Sequence, residues 1–314
     1  MPTSSGFISV DPEQNSLREV HNLLLSGVSP RPIALVSTIS EDGVDNIAPF
    51  SFFNAFGANP PYIAFSPAYS GKDGSAKDTL RNLEKIPECV VHAVPFDLVE
   101  QVSLASTAYS PDMSEFVKAG FDTLESEVVK PKRVKNSPFH MECQVEQIIP
   151  LGGTNGSGNL VLCKVVRFHV SDAVLENGKM MPDALDLVGR NGFNYYTRAS
   201  GAALFTVDKP TGQGIGIDQL PAHIRESSIL TGNDLGKLGS LAVLPDQGSA
   251  QRYVRSLEVD NPGSKYAKLF LHGTEALDAN PAQGRKDIEI AAKVALNAGD
   301  LEFAIHVLML NIED

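Results

Sequence analysis

A short stretch of hydroxyl, amide and cationic side chains between Arg31 and Thr79 has the residue types that chemistry would need. Lys77, Asp78 and Thr79 form the first turn of a predicted helix, where free backbone N–H groups and the helix dipole favour a bound anion. Lys77 would neutralise a phosphate held there, and the Thr79 hydroxyl would hydrogen-bond to it. A helix start with a solvated lysine is the simpler interpretation of the same three residues.

Other polar side chains of this stretch stand at the ends of predicted strands. Arg31 lies between two prolines, and its rigid planar guanidinium is a second candidate for an anion contact. Ser37 and Thr38 end the strand that follows. Residues 51–54 end the next strand and offer backbone groups and the Asn54 amide to a flat heterocycle. Either phenylalanine of that segment, taken singly, suits a hydrophobic core better than a cofactor contact.

Motifs that mark common enzyme mechanisms are absent from the sequence. It contains no G-x-S-x-G, H-E-x-x-H or Walker motif, and no G-x-G-x-x-G between a strand and a helix. Gly212, Gly214 and Gly216 follow a proline in a predicted loop. The seven histidines show no metal-ligand spacing, and the three cysteines lie in apolar, strand-like runs that indicate buried free thiols. We therefore assign neither a catalytic side chain nor a metal site.

Composition limits the kinds of partner. The 314 residues carry a net charge of -12 at pH 7 and no dense lysine or arginine patch, which argues against a nucleic-acid surface. No apolar run approaches the roughly eighteen residues of a membrane-spanning helix, and residues 1–5 show no signal-peptide pattern. We expect a cytoplasmic protein that contacts no membrane and holds any phosphate ligand locally.

The first part of the chain reads as short strands broken by turns, which favours an antiparallel barrel or sandwich. The first hairpin would pair residues 33–39 with residues 44–53 around an Asp-Gly turn, and Pro49 would mark an edge or a bulge. Residues 141–146 alternate between apolar and polar side chains, as a strand with one buried face does. Residues 159–170 would be the hairpin partner of that strand.

Helices interrupt and follow this β region. Residues 75–86, with Ser75 at the N-cap spacing, and residues 96–106 are predicted helices. After about residue 210 the pattern becomes helical, and the predicted segments are 222–229, 250–257, 265–271, 285–297 and 301–310. We therefore predict two parts, a mainly β domain over residues 1–210 and an α-helical C-terminal extension over residues 211–314.

Taken together, the segments of the first domain resemble the flavin reductase-like FMN-binding split-barrel family. This family includes flavoredoxins and the reductase components of two-component monooxygenases. The matching segments are Ser-Pro-Arg-Pro-Ile-Ala-Leu-Val-Ser-Thr at 29–38, Asn-Ile-Ala-Pro-Phe-Ser-Phe-Phe-Asn at 46–54, Asn-Pro-Pro at 59–61 with Phe-Ser at 65–66, and Lys-Asp-Thr-Leu-Arg-Asn at 77–82. Weaker similarity continues through residues 114–120 and ends near residues 195–198.

The resemblance implies a mainly β fold, an antiparallel split barrel of six strands with flanking helices. It also implies a homodimer with one FMN per subunit near the interface. The implied phosphate contacts are Arg31, Lys77 and Thr79, with Asp78 in the same turn. The implied contacts to the flavin ring or ribityl chain are Ser37, Thr38, Ser51, Phe52, Asn54 and Ser66. Arg198 would approach the same site from the far end of the domain. His92 departs from the family, which has asparagine there in many members, and the extension after residue 210 exceeds the usual length.

The resemblance further implies electron transfer through the flavin. A bound isoalloxazine accepts a hydride and stores two electrons, so the protein need only hold the ring and admit a nicotinamide. NADH or NADPH would reduce FMN, and the electrons would pass to free flavin, a partner oxygenase or another acceptor. Two alternatives stay open: an FMN electron carrier fed by a redox partner protein, and a non-enzymatic scaffold whose helical tail binds protein. Barrels that oxidise a pyridoxine phosphate have different motifs.

Overall fold

The computed structural model describes residues 6–207, 209–210, 212–260 and 264–310. The chain divides into two compact units, Met1–Phe205 and Thr206–Asp314. The boundary predicted at residue 210 lies five residues after this division. Each unit has a hydrophobic core made of its own residues.

The first unit is built mainly from strands. These are β1 (Ala34–Ile39), β2 (Asp45–Phe50), β3 (Phe53–Ala58), β4 (Pro61–Phe65), β5 (Glu88–His92), β6 (Thr123–Leu124), β7 (Arg133–Val134), β8 (Phe139–Pro150), β9 (Asn159–Val170), β10 (Leu175–Glu176), β11 (Lys179–Met180), β12 (Val188–Arg190) and β13 (Tyr196–Arg198). Its helices are α1 (Leu17–Gly27), α2 (Asp78–Lys85), α3 (Val99–Leu104), α4 (Glu115–Ala119) and α5 (Pro182–Leu185). Seven strands form one antiparallel sheet in the order β2-β1-β5-β8-β9-β4-β3.

The sheet closes on itself at the β2–β3 link, which consists of Ser51 and Phe52. Strands β2 and β3 lie at opposite ends of the sheet order, yet only these two residues separate them. At about 4.8 Å between neighbours, the end strands of a flat seven-stranded sheet would lie about 29 Å apart. The three peptide steps from Phe50 to Phe53 span at most about 11 Å. The sheet must therefore curl until its edges meet at the link, which is the geometry of a barrel.

This closure explains two differences from the sequence predictions. The predicted strand over residues 44–53 is two strands, because the chain bends at the link and crosses from one sheet edge to the other. Counting them separately, the sheet has seven strands where the resemblance implied six. Pro49 lies in edge strand β2, as predicted, where a missing N–H costs little.

Apolar side chains from alternate strand positions fill the barrel. Phe65 and Val161 are fully buried there. Cys89, Cys143 and Cys163 lie in the same cluster and are free and buried, as predicted. The opposite face of the sheet packs against α3 and α4 through a second apolar cluster that includes Leu35, Ile47, Val102 and Phe116.

A segment without a helix, residues 126–134, covers part of the outer face of the sheet. The carboxylate of Glu142 on β8 is fully buried and accepts hydrogen bonds from the backbone N–H groups of Glu127, Val128 and Val129 at 2.8, 2.7 and 3.1 Å. Burial opposes ionisation of Glu142, but the N–H groups of Glu127 and Val128, and next the hydrogen bond with His169, outweigh it and lower the pKa of Glu142. Three backbone N–H groups of the segment thus bond to one buried side chain of the sheet.

The helices of the first unit differ in detail from the predicted ones. Helix α2 begins at Asp78 with Lys77 as its N-cap, whereas the predicted cap, Ser75, lies in the preceding loop. Residues 96–106 form a 3-10 turn followed by α3. Helix α1 was not predicted; its Ser16 and Glu19 form a capping box.

The second unit is helical, as predicted. It contains α6 (Ala222–Arg225), α7 (Gly232–Gly239), α8 (Gln247–Asp260), α9 (Lys265–Leu277), α10 (Pro281–Ala298) and α11 (Leu301–Leu308). Helix α6 is shorter than predicted, and α7 was not predicted. Helices α9 and α10 approach closely at Gly273 and Gly284, whose missing side chains let the two backbones meet. Among the residues that the structure describes, no helix is long and apolar enough to cross a membrane.

Candidate cofactor site

Several predicted site residues meet at the β2–β3 link. The Ser66 backbone N–H donates to the Phe52 carbonyl at 2.9 Å, which joins the end of β4 to the link. The Arg31 Nε–H donates to the Ser51 hydroxyl at 3.3 Å. His21 of α1 packs edge-on against the Phe52 ring, with 6.4 Å between the ring centroids. Arg31, Ser51, Phe52 and Ser66 therefore form one cluster, which α1 partly covers.

Most of the Arg31 guanidinium is used inside the protein. The side chain is 4% exposed, and its other N–H groups donate to the carbonyls of Leu25 and Val28, both at 2.6 Å, and of Asn191 at 3.3 Å. Burial, and next the charge of Arg190, lower the pKa of Arg31. The guanidinium binds carbonyls at the C-terminal end of α1, where a cation is favoured. In this structure Arg31 fixes α1 beside the link, and its predicted phosphate contact stays a prediction.

A second group of predicted residues lies in a buried hydrogen-bonded network. We call the set Thr38, Asn46, Thr79, Asn82 and Glu115 the Asn46 network. The Asn46 Oδ1 accepts from the hydroxyls of Thr38 and Thr79, both at 3.0 Å. The Asn46 Nδ2 donates to the Glu115 carboxylate at 2.9 Å, and the Asn82 Nδ2 donates to the Thr38 hydroxyl at 3.0 Å. Thr38 and Thr79 thus join β1 and β2 to α2.

The start of α2 offers donors to a ligand, although one first-turn donor, the Leu80 N–H, already bonds to the Lys77 carbonyl at 3.0 Å. Its N-cap, Lys77, makes no capping hydrogen bond through its side chain, and that side chain is exposed. The first-turn N–H groups of an uncapped helix attract anions, and the Lys77 ammonium adds a full positive charge. The Asp78 carboxylate in the same turn opposes an anion, but it forms an ion pair with Arg81. The Thr79 hydroxyl proton is donated to Asn46, so Thr79 holds the turn in place.

Three predicted residues lie outside both groups. Ser37 is fully buried, and its hydroxyl donates to the Lys132 carbonyl at 2.7 Å. Asn54 is exposed on β3. Arg198 forms a two-pronged ion pair with Asp186 at 2.7 and 2.6 Å and lies over the Phe96 ring. The described structure thus engages Ser37 and Arg198 in contacts within the protein.

A cavity of about 770 Å³ opens at one end of the barrel. Its lining is mostly apolar and comes from the segment before β1, from β3, β4 and β9, and from the adjoining ends of β5 and β8. Arg31, Asn54 and His92 are among its polar residues. A volume of this size suits a planar heterocycle or a cofactor fragment. The cavity adjoins the cluster at the link, because Arg31 lines the cavity and bonds to Ser51.

Comparison with known proteins settles the family. Residues 26–196, more than half of the chain, match the model of the flavin reductase like domain. The chain belongs to the flavin reductase-like family. An uncharacterised protein of Halalkalibacterium halodurans is 38% identical over 206 residues, which make up 65% of this chain and 97% of that protein.

Solved structures agree with this flavin reductase-like assignment. Nitrilotriacetate monooxygenase component B from Bacillus cereus is 33% identical, with a TM-score of 0.61 over 65% of this chain and 100% of that one. A protein with a split-barrel domain from Shewanella frigidimarina is 21% identical, with a TM-score of 0.54 over 64% of this chain and 100% of that one. The predicted split-barrel fold is therefore confirmed. The family match ends at residue 196, before the helical unit begins.

The residues of this flavin reductase-like unit could hold a phosphorylated flavin. Lys77 and the open first turn of α2 offer donors for a phosphate. Ser51, Ser66 and the backbone at Phe52 offer polar groups beside a mainly apolar cavity. A cationic group for the phosphate, together with polar groups beside an apolar cavity for the ring, fits the chemistry of FMN.

Sequence reasoning gave no role to three residues of the Asn46 network. Asn46 and Asn82 stand inside the segments that carry the family resemblance, so their positions were available as a signal. Glu115 lies in the weaker matching segment, and only the fold brings it to Asn46. The contacts of His92 are likewise set by the fold alone: its Nδ1 lies 2.8 Å from the Leu35 carbonyl, and its Nε2 accepts from the Val134 N–H at 3.0 Å.

Proposed function

We propose that this protein binds FMN and reduces it with NADH or NADPH. The observation that carries the proposal is the uncapped start of α2 with Lys77 exposed, placed in a chain of the flavin reductase-like family. Thr79 ties this turn to Asn46 on β2, and Ser51 follows the end of that strand. The five residue-to-residue steps from Asn46 to Ser51 extend over about 17 Å, which is comparable with the length of an extended FMN.

The residues of the chain divide the task along this length. Lys77 and the first-turn N–H groups of α2 would bind the phosphate. Ser51, Ser66 and the backbone carbonyl and N–H groups of the link would orient the ring, and the apolar cavity would exclude water from it. When bound, FMN supplies the two-electron hydride chemistry, so no side chain is needed as an acid, base or nucleophile. Arg31 would keep α1 over the ring by holding the C-terminal end of that helix.

The partner that receives the electrons is proposed from a relative. Nitrilotriacetate monooxygenase component B, 33% identical and matched over its whole length, is by its name one component of an oxygenase system. By analogy, reduced flavin from this protein would pass to a partner oxygenase or to free flavin. We place the reaction in the cytoplasm, where the three free cysteines would stay reduced.

A homodimer is part of this proposal. Strand β3 lies at one end of the sheet, carries no charged side chain, and exposes Phe56 by 66%. An uncharged apolar edge strand invites association, and natural proteins cover or charge such edges. Sedimentation of the purified protein is expected to give twice the mass of the chain, and a monomer at micromolar concentration would contradict the dimer.

The deciding experiment is visible absorption spectroscopy of the protein with FMN, followed by anaerobic NADH and NADPH. Flavin bands that shift on binding and bleach rapidly with either nucleotide would support the reductase. Bands that shift but stay oxidised would replace it with the electron carrier. A protein that leaves the FMN spectrum unchanged, and does not retain FMN on gel filtration, would contradict flavin binding and favour the scaffold.

A further inference from the structure

The Asn46 network contains an ionisable group that no site prediction included. Glu115 begins α4 and is 5% exposed. Its Oε2 accepts from the Asn46 Nδ2 at 2.9 Å and from the Ile47 backbone N–H at 3.2 Å. Burial, and more weakly the nearby Asp78 carboxylate, raise the pKa of Glu115, whereas these two N–H groups favour its ionised form. Glu115 is therefore a buried hydrogen-bond acceptor on the far side of Asn46 from α2.

A carboxylate at this position decides which way the Asn46 amide faces. An ionised carboxylate accepts hydrogen bonds only, so the Asn46 NH₂ group must face Glu115. The Asn46 Oδ1 then faces the opposite way, where it accepts from both Thr38 and Thr79. If the amide turned over, its NH₂ group would face two hydroxyls whose protons would have to find other acceptors in a buried region.

The orientation of Asn46 reaches α2 at two points. Thr79 bonds directly to Asn46, and Asn82 bonds to Thr38, which is itself bonded to Asn46. Thr79 and Asn82 are three residues apart, so they lie on the same face of the helix, one turn from each other. The network therefore fixes both the position and the rotation of the first turn of α2, the turn that carries Lys77 at its N-cap.

We propose that Glu115 is a positioning residue that makes the site selective for phosphorylated flavin. By orienting Asn46, it holds the first turn of α2 where its N–H groups and Lys77 can meet a phosphate. This inference rests on the proposed function, because it needs FMN to bind through that turn. In this proposal Glu115 acts on the ligand only through Asn46, so its removal should weaken binding of FMN and spare binding of riboflavin, which lacks the phosphate.

Two variants separate the reach of Glu115 from its charge. Glu115→Asp keeps the charge but shortens the side chain by about 1.5 Å, the length of one carbon–carbon bond, so it cannot reach Asn46. Glu115→Gln keeps the length and one carbonyl oxygen to accept both N–H groups, but it loses the charge. The dissociation constants of FMN and riboflavin are measured for the full-length wild type and both variants by quenching of flavin fluorescence, with melting temperatures to verify folding.

Positioning predicts that Glu115→Asp raises the FMN dissociation constant about tenfold, which corresponds to about 1.4 kcal/mol, with little change for riboflavin. Glu115→Gln should stay near the wild type for both ligands. Equal weakening of both ligands in Glu115→Asp would overturn the inference in favour of a general structural role. Altered FMN affinity in Glu115→Gln alone would overturn it in favour of a purely electrostatic one. Should Glu115→Asp fail to fold, Asn46→Ser removes the oriented amide instead. Its dissociation constants for FMN and riboflavin are measured in the same way, with the same expected outcome.

The wild-type protein separates failure of this inference from failure of the proposed function. If the wild type binds neither flavin, the proposed function is wrong. If it binds FMN and riboflavin equally, flavin binding stands but the phosphate site on α2 is wrong, and the positioning of that site by Glu115 is wrong with it. If it prefers FMN and Glu115→Asp keeps that preference, only the role of Glu115 is wrong.

Discussion

The ammonium group of Lys77 stands at the exposed N-cap of α2, where its charge and the open backbone N–H groups act on the same ligand. Hydrogen bonds to charged groups contribute about 1.5–3 kcal/mol. We therefore expect Lys77→Ala to raise the FMN dissociation constant at least about tenfold and to leave that of riboflavin nearly unchanged. Isothermal titration with both ligands measures the difference.

A matched control for this variant lies on the same helix. Lys85→Ala removes an exposed lysine from the last turn of α2, at the end that faces away from a ligand at the N-terminus. It should bind FMN like the wild type. If the two variants lose the same affinity, the effect comes from the net charge of the protein and the phosphate is bound elsewhere.

Buried histidines make the first unit sensitive to acid. Burial, and next the charges of His140 and Arg133, lower the pKa of His92 to about 3. Burial, and next the charges of Arg133 and His169, lower the pKa of His140 to about 4. The His140 ring is 5% exposed, and neither of its nitrogens has a hydrogen-bond partner within the described part of the chain. A positive charge on the buried His140 ring would cost folding free energy, so the folded protein keeps this ring neutral.

The direction of the pH dependence follows from these lowered values. Below the unfolded pKa of about 6.5, the unfolded chain binds protons that the folded chain does not. The free energy of unfolding should therefore fall from pH 6.5 to 5, by up to about 1.4 kcal/mol per pH unit for each histidine. Urea denaturation at several pH values measures it. His140→Phe, which keeps a flat ring without the nitrogens, should roughly halve the slope, and an unchanged slope would contradict this assignment.

The residues of the candidate site were predictable from sequence to different degrees. The helix at Lys77 could be predicted from a local pattern, but its start was placed at Ser75, whereas α2 begins at Asp78 with Lys77 as its N-cap. Thr38 and Thr79 were predicted as ligand contacts, but the structure has their hydroxyls bonded to Asn46. Which partner a hydroxyl takes depends on groups distant in sequence, and no local pattern shows that Glu115 will orient Asn46.

At the scale of elements, the break between β2 and β3 shows what a strand pattern cannot reveal. Residues 44–53 contain no glycine at the point of the bend, and Pro49 lies before it. The chain bends at Ser51 and Phe52 because the sheet closes there, and closure depends on all seven strands. The hairpin of β8 with β9 was predictable, because its two strands alternate and are joined by a glycine-rich loop.

The close contact between α9 and α10 can be tested by adding a methyl group at one of its glycines. A methyl group on Gly284 of α10 would lie 2.8 Å from the Gly273 carbonyl of α9, so one backbone must move. We expect Gly284→Ala to cost about 1–3 kcal/mol of unfolding free energy, as overpacked cores do. Chemical denaturation followed by circular dichroism gives this value.

Gly236 provides the control. It lies exposed in α7 with no heavy atom near the added methyl group, so Gly236→Ala should stabilise by about 0.5–1 kcal/mol through backbone entropy. Opposite signs for the two substitutions would support the close helix contact. Equal stabilisation by both would mean that α9 and α10 have room for a side chain.

At the scale of the whole molecule, the two hydrophobic cores lie in different parts of the sequence. Those of the first unit are made of residues between Ile33 and Val188, and that of the second of residues between Leu220 and Leu308. We expect two transitions in differential scanning calorimetry of the full-length protein. FMN at one hundred times its dissociation constant should stabilise only the first unit, by about 2.7 kcal/mol.

A substitution in the second unit tests whether the two units unfold separately. Gly284→Ala should lower only the transition that FMN leaves in place. A single transition that shifts as a whole with FMN and with the substitution would show that the units unfold together.

The strand order also constrains the time at which the barrel can form. Strands β1 with β2, β3 with β4 and β8 with β9 are neighbours both in the chain and in the sheet, so each pair can form early as a hairpin. Among the seven strands of the sheet, β8 and β9 are translated last, yet they occupy the middle of the sheet between β5 and β4. Until residue 170 has emerged, the earlier strands lack their central partners, and the nascent protein exposes two unpaired strand edges that chaperones would need to protect.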